Sequence, residues 1–310
     1  MMKALIALAV IVFPGGFNWP LWVGMEKGFF AQHGVELTVT PTPNSVYQMQ
    51  NLAAGKFDIA FSTVDNVVAY VEGQGEAPLP ETPDFFAFMG GQYGAVRLVA
   101  RPDIAKIADF KGKSLAVDAA TTGYAFVLRK LLQQAGLAES DYELERVGGT
   151  AQRAQALMEG KTAGTILTSP LEIVPESRGN RRLANAIDAI GPYQAVLGVA
   201  RRSWAAAHES ALVGFIRGYV DSLDWLADPA NRGEAVAIYR KNIPQASEDS
   251  ANKAWAALLT GPEGFQKKGK MDRAGIETVL KLRSEFGRPQ KDLRDPDKYV
   301  DESYYRKAVP

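Results

Sequence analysis

The chain has 310 residues, with 35 basic and 35 acidic side chains, two histidines and no cysteine. Balanced charge leaves no basic surplus to neutralise phosphates, so no nucleic-acid partner is expected. The lack of cysteine excludes a disulfide frame, a thiolate metal site and a thiol nucleophile. His33 and His208 lie far apart in sequence, outside any metal-ligand motif, so neither a metal nor a cofactor is expected. At about 150 residues per domain the length predicts two folding units.

The elements follow in chain order. Ala4 to Phe13 is an apolar run too short to span a bilayer. Ala7-Leu8-Ala9, its one signal-type cleavage site, would leave almost no hydrophobic stretch before the cut, so Ala7 to Phe13 reads as a buried strand stopped by Pro14-Gly15-Gly16. Strand Val35 to Val39, helix Val46 to Ala54, strand Phe57 to Phe61 and a helix from Val64 to Glu72 follow. A Pro-rich loop, Gly73 to Asp84, separates these from strands Phe85 to Met89 and Ala95 to Ala100.

The same order then recurs. It comprises strand Ser114 to Val117, helix Tyr124 to Ala135, strand Glu143 to Val147, helix Ala151 to Glu159 and strand Gly164 to Leu167. QNLAAGKFDIAFST at 50–63 and QALMEGKTAGTILT at 155–168 share Gln, Leu, Gly, Lys and Thr in register, a weak internal repeat. After strand Ala195 to Ala200 the pattern turns helical. Leu212, Phe215, Ile216, Tyr219, Val220, Leu223 and Leu226 form one apolar stripe, and further helices fit Arg232 to Lys241, Ser250 to Thr260 and Arg273 to Phe286. The charged tail from Arg288 is expected on the surface.

This alternation predicts an α/β fold with mainly parallel sheets, whose ligands bind beyond the carboxyl ends of the strands. The residues there are Phe17, Asn18 and Trp19, then Asn44 and Ser45, then Ser62, Thr63 and Asp65. The second unit adds Asp118, Thr121, Thr122, Tyr124, Thr150, Thr168 and Ser169. Hydroxyls, glycines and aromatics can hydrogen-bond a solute and stack on a ring, but they include no base, nucleophile or metal cluster, which argues for binding without turnover. Phe17 and Trp19 are the expected apolar clamp, and the Asp118 to Tyr124 loop the expected polar face. Asp118 and Asp65 each have a local alternative, in turn formation or at a helix N-terminus.

FNWPLWVGMEKGFFAQHGVEL at 17–37, LAAGKFDIAFSTVDNVVAY at 52–70, DFKGKSLAVDAATTGYAFVLRKLLQQAGL at 109–137, LMEGKTAGTILTSP at 157–170 and VDESYYRKAV at 300–309 carry a resemblance along nearly the whole chain. In their order and spacing the chain resembles the substrate-binding proteins of ABC importers with a type 2 periplasmic-binding fold, in the branch of alkanesulfonate, taurine, nitrate and thiamine-precursor binders.

The resemblance implies two lobes: one from 1–98 together with the helical 197–310, the other from 99–196, with a hinge at crossings near Val99 and Val196. It further implies a monomer that captures a small organic solute (a heteroaromatic, carboxylate or sulfonate) by hinge closure and passes it to an ABC permease. An extracytoplasmic or periplasmic location is expected. The numbered chain shows no secretion signal and no lipid-anchoring cysteine, which keeps a cytoplasmic location in view. The alternatives are an enzyme on the same fold, either a lyase or dehydratase of cofactor biosynthesis or a pyrimidine synthase, and a ligand-sensing domain. The pyrimidine synthase relies on a Cys-rich iron motif that a Cys-free chain lacks.

Overall fold

A computed structural model describes residues 4–309 as two five-stranded mixed sheets with helices on their faces. Strand β1 (Ile6–Val12) is followed by helices α1 (Trp19–Glu26) and α2 (Phe29–Gln32), then β2 (Val35–Pro41), α3 (Ser45–Ala53), β3 (Ile59–Thr63), α4 (Val64–Val71) and β4 (Phe85–Gly90). β1 pairs in parallel with β2 and β3, so the first apolar run is a sheet strand, with Ile6 and Ala7 at its exposed start. Met1 to Lys3 lie outside the described residues.

The chain then crosses to the second sheet. That sheet holds β5 (Val96–Ala100), β6 (Lys113–Val117), β7 (Tyr142–Arg146), β8 (Gly164–Thr168) and β9 (Arg181–Asn185), in the order β7-β6-β8-β5-β9. Between them run α5 (Gly123–Gln134), α6 (Thr150–Met158) and α7 (Ile173–Ser177), and α8 (Ala186–Ile190) follows. β10 (Val196–Arg201) returns to the first sheet, antiparallel between β3 and β4, and completes the order β2-β1-β3-β10-β4. Val99, the expected first crossing, lies inside β5 and pairs with Thr165. The change of sheet occurs over residues 91–95, where Gly91 and Gln92 both donate to the Val196 carbonyl and Tyr93 bridges Gln194 of the return.

The C-terminal third adds α9 (Arg202–Ala207), α10 (Glu209–Ala227), α11 (Arg232–Asn242), α12 (Glu248–Trp255, continued by a π turn to Thr260), α13 (Arg273–Phe286) and α14 (Ser303–Ala308). The apolar stripe of α10 is buried against lobe one. Gly214 and Gly218 permit the close approach, since a Cβ there would meet the His33 carbonyl and the Phe30 ring at 2.5 Å. α13 packs on α4 and reaches α5 of lobe two.

The tail departs from its expected surface course. Ala87 of the edge strand β4 donates to Tyr299 O at 2.8 Å and accepts from Asp301 at 2.9 Å, while the Tyr299 ring is buried. An open edge strand is a liability, and here the tail covers it.

The internal repeat is structural. α3 and β3 recur 105 residues on as α6 and β8. Gly55 and Gly160 end the two helices at φ +73° and +70°, and the bonds Lys56 N–H to Asn51 O and Lys161 N–H to Ala156 O are both 3.0 Å. This is the Schellman type of helix stop, which favours glycine because its φ is positive.

Candidate functional site

The carboxyl ends of β1, β3, β6 and β8 face one another across the cleft. Phe13, Phe17, Phe61, Ser62, Thr63 and Asn66 of lobe one line a cavity there, opposite Asp118, Thr122, Gly123, Tyr124, Gly149, Thr150, Arg153 and Thr168 of lobe two. The centre of a water molecule can occupy about 40 Å³ of it, roughly three waters' worth. The lobes are closed over it: Ser45 N–H donates to Asp118 Oδ2 at 3.1 Å, and Gly149 N–H to Pro43 O at 3.2 Å.

Of the residues expected at the site, Phe17, Ser62, Thr63, Asp118, Thr122, Tyr124, Thr150 and Thr168 line the cavity. Trp19 does not. Its indole is fully buried in lobe one, 4.5 Å from the Tyr239 ring, and its Nε1–H donates to Ala235 O at 3.0 Å. The loop that presents Phe17 passes into α1 at Trp19, and the first helical turn aims the indole at α11. The expected Trp19 clamp is therefore corrected to a core residue, leaving Phe17 with Phe13 and Phe61 as the aromatic wall.

Asn18 is buried beneath the loop and donates to Phe13 O at 2.7 Å. Asn44 caps α3, accepting from Tyr47 N–H at 2.8 Å, and so is spent on the helix end. Ser169 is buried and bonds Glu172, whose carboxyl is raised by burial. Thr121 donates to Glu76 Oε2 at 2.7 Å, outside the cavity. These residues, with Ser45, frame the cleft rather than line it.

Asp65 sits in the first turn of α4, as its local reading has it, and its carboxylate is taken up by protein partners. Both its oxygens are held by Arg283 of α13, Nε to Oδ1 at 2.7 Å and Nη2 to Oδ2 at 2.9 Å, with both side chains buried. Oδ2 also accepts the N–H of Gly123, the first residue of α5, at 2.6 Å. The positive end of α5, expected to meet the ligand, thus already faces a protein carboxylate from the other lobe. Arg283 donates in addition to Thr121 O at 2.6 Å, so the pair ties α4, α5 and α13 together.

Arg153 was not foreseen, because it lies one turn inside α6 rather than at a strand end. It is buried, and all its bonds go to neutral acceptors: Thr165 Oγ1, Gly148 O, Thr150 Oγ1 and Ile166 O at 2.8–3.2 Å. Burial lowers its pKa, and Asp118 across the cavity acts in the opposite direction. Asp118 Oδ1 is buried without a partner. Burial raises the Tyr124 phenol, which stays neutral at physiological pH. His33 pairs with Asp221 and His208 stacks on Trp204, both away from the cavity. Among the described residues no group of three metal-ligating side chains converges.

The model of the NMT1/THI5-like family matches residues 18–231, most of both sheets. The chain belongs to this family. A sequence comparison with curated proteins finds no significant match. Among solved structures, the periplasmic nitrate-binding protein of Synechocystis PCC 6803 is similar at a TM-score of 0.80 and 13% identity, covering 98% of this chain and 88% of its own. The alkanesulfonate-binding protein of Xanthomonas axonopodis pv. citri, bound to MOPS, is similar at 0.72 and 15%, covering 96% and 99%. The crystal structure of the desulfurization enzyme DSZB is similar at 0.67 and 13%, covering 98% and 99%. The shared fold of this NMT1/THI5-like protein is thus the two-lobe periplasmic-binding architecture.

Proposed function

We propose that the protein is the solute-binding component of an ABC import system, which captures a small organic molecule between its lobes and delivers it to a permease without chemical turnover. The observation that carries this reading is the cavity itself. It lies between the lobes, takes side chains from both, and is lined by hydroxyls, aromatics, the Arg153 guanidinium and one unpaired buried carboxylate oxygen, with no histidine. The closing contacts of Ser45 and Pro43 are bonds that opening would break, and the crossings at 91–95 and 191–195 would serve as the hinge. In such a system the protein works outside the cytoplasmic membrane as a monomer.

Native mass spectrometry of the purified protein tests the proposal. A retained small molecule, released unchanged and rebound after stripping, is expected. A retained molecule converted to a product on incubation would support the enzyme reading instead.

A further inference from the structure

We propose that the cavity selects a two-ended solute: an N–H donor group faces Asp118 Oδ1, and an acceptor group, anionic or carbonyl, faces Arg153. The inference rests on the reading of this cavity as a solute site and names the chemistry of what it holds.

The internal repeat supplies the argument for Arg153. Position 48 in lobe one corresponds to 153 in lobe two, and there the chain carries Gln48, equally buried. Gln48 Nε2 donates to Phe61 O at 3.0 Å, and Arg153 Nη2 donates to the corresponding Ile166 O at 3.1 Å. Both side chains thus hold the carbonyl of the third residue of the neighbouring strand, so a neutral amide meets the structural need. The guanidinium adds a buried positive charge, which is costly unless something compensates it. Among the described residues no carboxylate pairs with it, and its protein bonds use four of its five N–H groups, leaving one on Nη1.

Asp118 presents the opposite half. Its Oδ2 is taken by the N–H of Ser45 across the cleft, and its Oδ1 is buried with no partner. An unsatisfied buried carboxylate oxygen calls for a donor. The two charges share the cavity without forming an ion pair, so a solute that bridges them satisfies both. Because Oδ2 makes a closing bond, a donor on Oδ1 also fixes Asp118 in the orientation that holds the lobes shut.

Calorimetric titration with two matched sets of probes tests this: β-alanine, propionate and propylamine, then 4-aminobenzoate, benzoate and aniline. In at least one set the two-ended member should bind more than about tenfold tighter than either one-ended relative, the scale of a hydrogen bond to a charged group. Asp118→Asn keeps an oxygen for Ser45 and turns an N–H₂ towards the cavity, so it should prefer the acid-only probe. Arg153→Gln installs the side chain that lobe one already uses and should fold, as checked by circular dichroism, while losing preference for the acid end.

Equal binding of acid-only and two-ended probes by the parent, or an unchanged preference in both variants, would overturn the proposal. If no probe binds but native mass spectrometry finds a retained solute lacking one of the two ends, this proposal fails and the solute-binding reading stands. If no probe binds and no solute is retained, both fail.

Discussion

Arg283 and Asp65 form a buried ion pair at the junction of both lobes and the C-terminal third, and its removal should be costly. Arg283→Met leaves the Asp65 carboxylate buried with only the Gly123 N–H, and frees Thr121 O and the Gln74 side chain from their guanidinium partner. Breaking a buried pair from one side costs about 3–5 kcal/mol, because the remaining charge is uncompensated. At an unfolding entropy of about 2.1 cal/mol/K per residue, the melting temperature of a chain of this length should fall by roughly 5–8 °C. Asp65→Asn should cost less, since an amide stays neutral and its oxygen can still accept from Gly123. The double variant should be more stable than the sum of the single effects predicts, by about 1–3 kcal/mol. Scanning calorimetry of the three variants and the parent reads all of this. A fall of less than about 2 °C for Arg283→Met, or strict additivity, would show that this ion pair does not hold the junction together.

Trp19→Ala should destabilise the protein by about 3–5 kcal/mol, as expected for a buried indole, while leaving affinity for the retained solute within about threefold. Phe17→Ala should do the reverse at the site, weakening binding by about 2 kcal/mol, near thirtyfold; titration and urea unfolding of the two variants separate the roles. Burial alone would raise the Glu72 carboxyl, but bonds from Lys298, Lys291 and Tyr299 outweigh it and hold the pKa at about 2, below the ordinary 4.5. Its contribution is complete above about pH 4.5 and is lost as pH falls towards 2, so Glu72→Gln should flatten the acid limb of the stability curve relative to the parent. An acid limb of unchanged slope in the variant would show that this cluster contributes nothing.

Most of the frame was legible because it rests on local signals. Val35 to Val39 alternates apolar and polar residues and Phe85 to Met89 is a short apolar run, each bounded by turn or Gly/Pro punctuation, and both are strands to within two residues at each end. The Arg273 to Phe286 helix has the bounds its periodicity predicts. β9 was missed because RRLAN is a charged edge strand, whose pairing with β5 depends on the sheet and leaves no alternation in the sequence. The tail strand-mate at Val300 is likewise a tertiary contact.

At the site, the strand-end rule found the hydroxyls and Asp118 but could not tell Phe17 from Trp19. Two residues apart, one faces the cavity and the other the core, because the turn into α1 lies between them. Arg153 had a usable signal after all: aligning the repeat sets it against Gln48 and exposes a charge that one lobe carries and the other lacks.

Closure of the two lobes on a solute is what a change of shape on binding would reveal most directly. Small-angle X-ray scattering should be recorded on the protein with its retained solute, and again after the solute has been stripped by unfolding and refolding. A larger radius of gyration is expected for the stripped form, with a return to the smaller value when the solute is restored. An identical radius in the stripped form and in the form resaturated with solute would contradict closure.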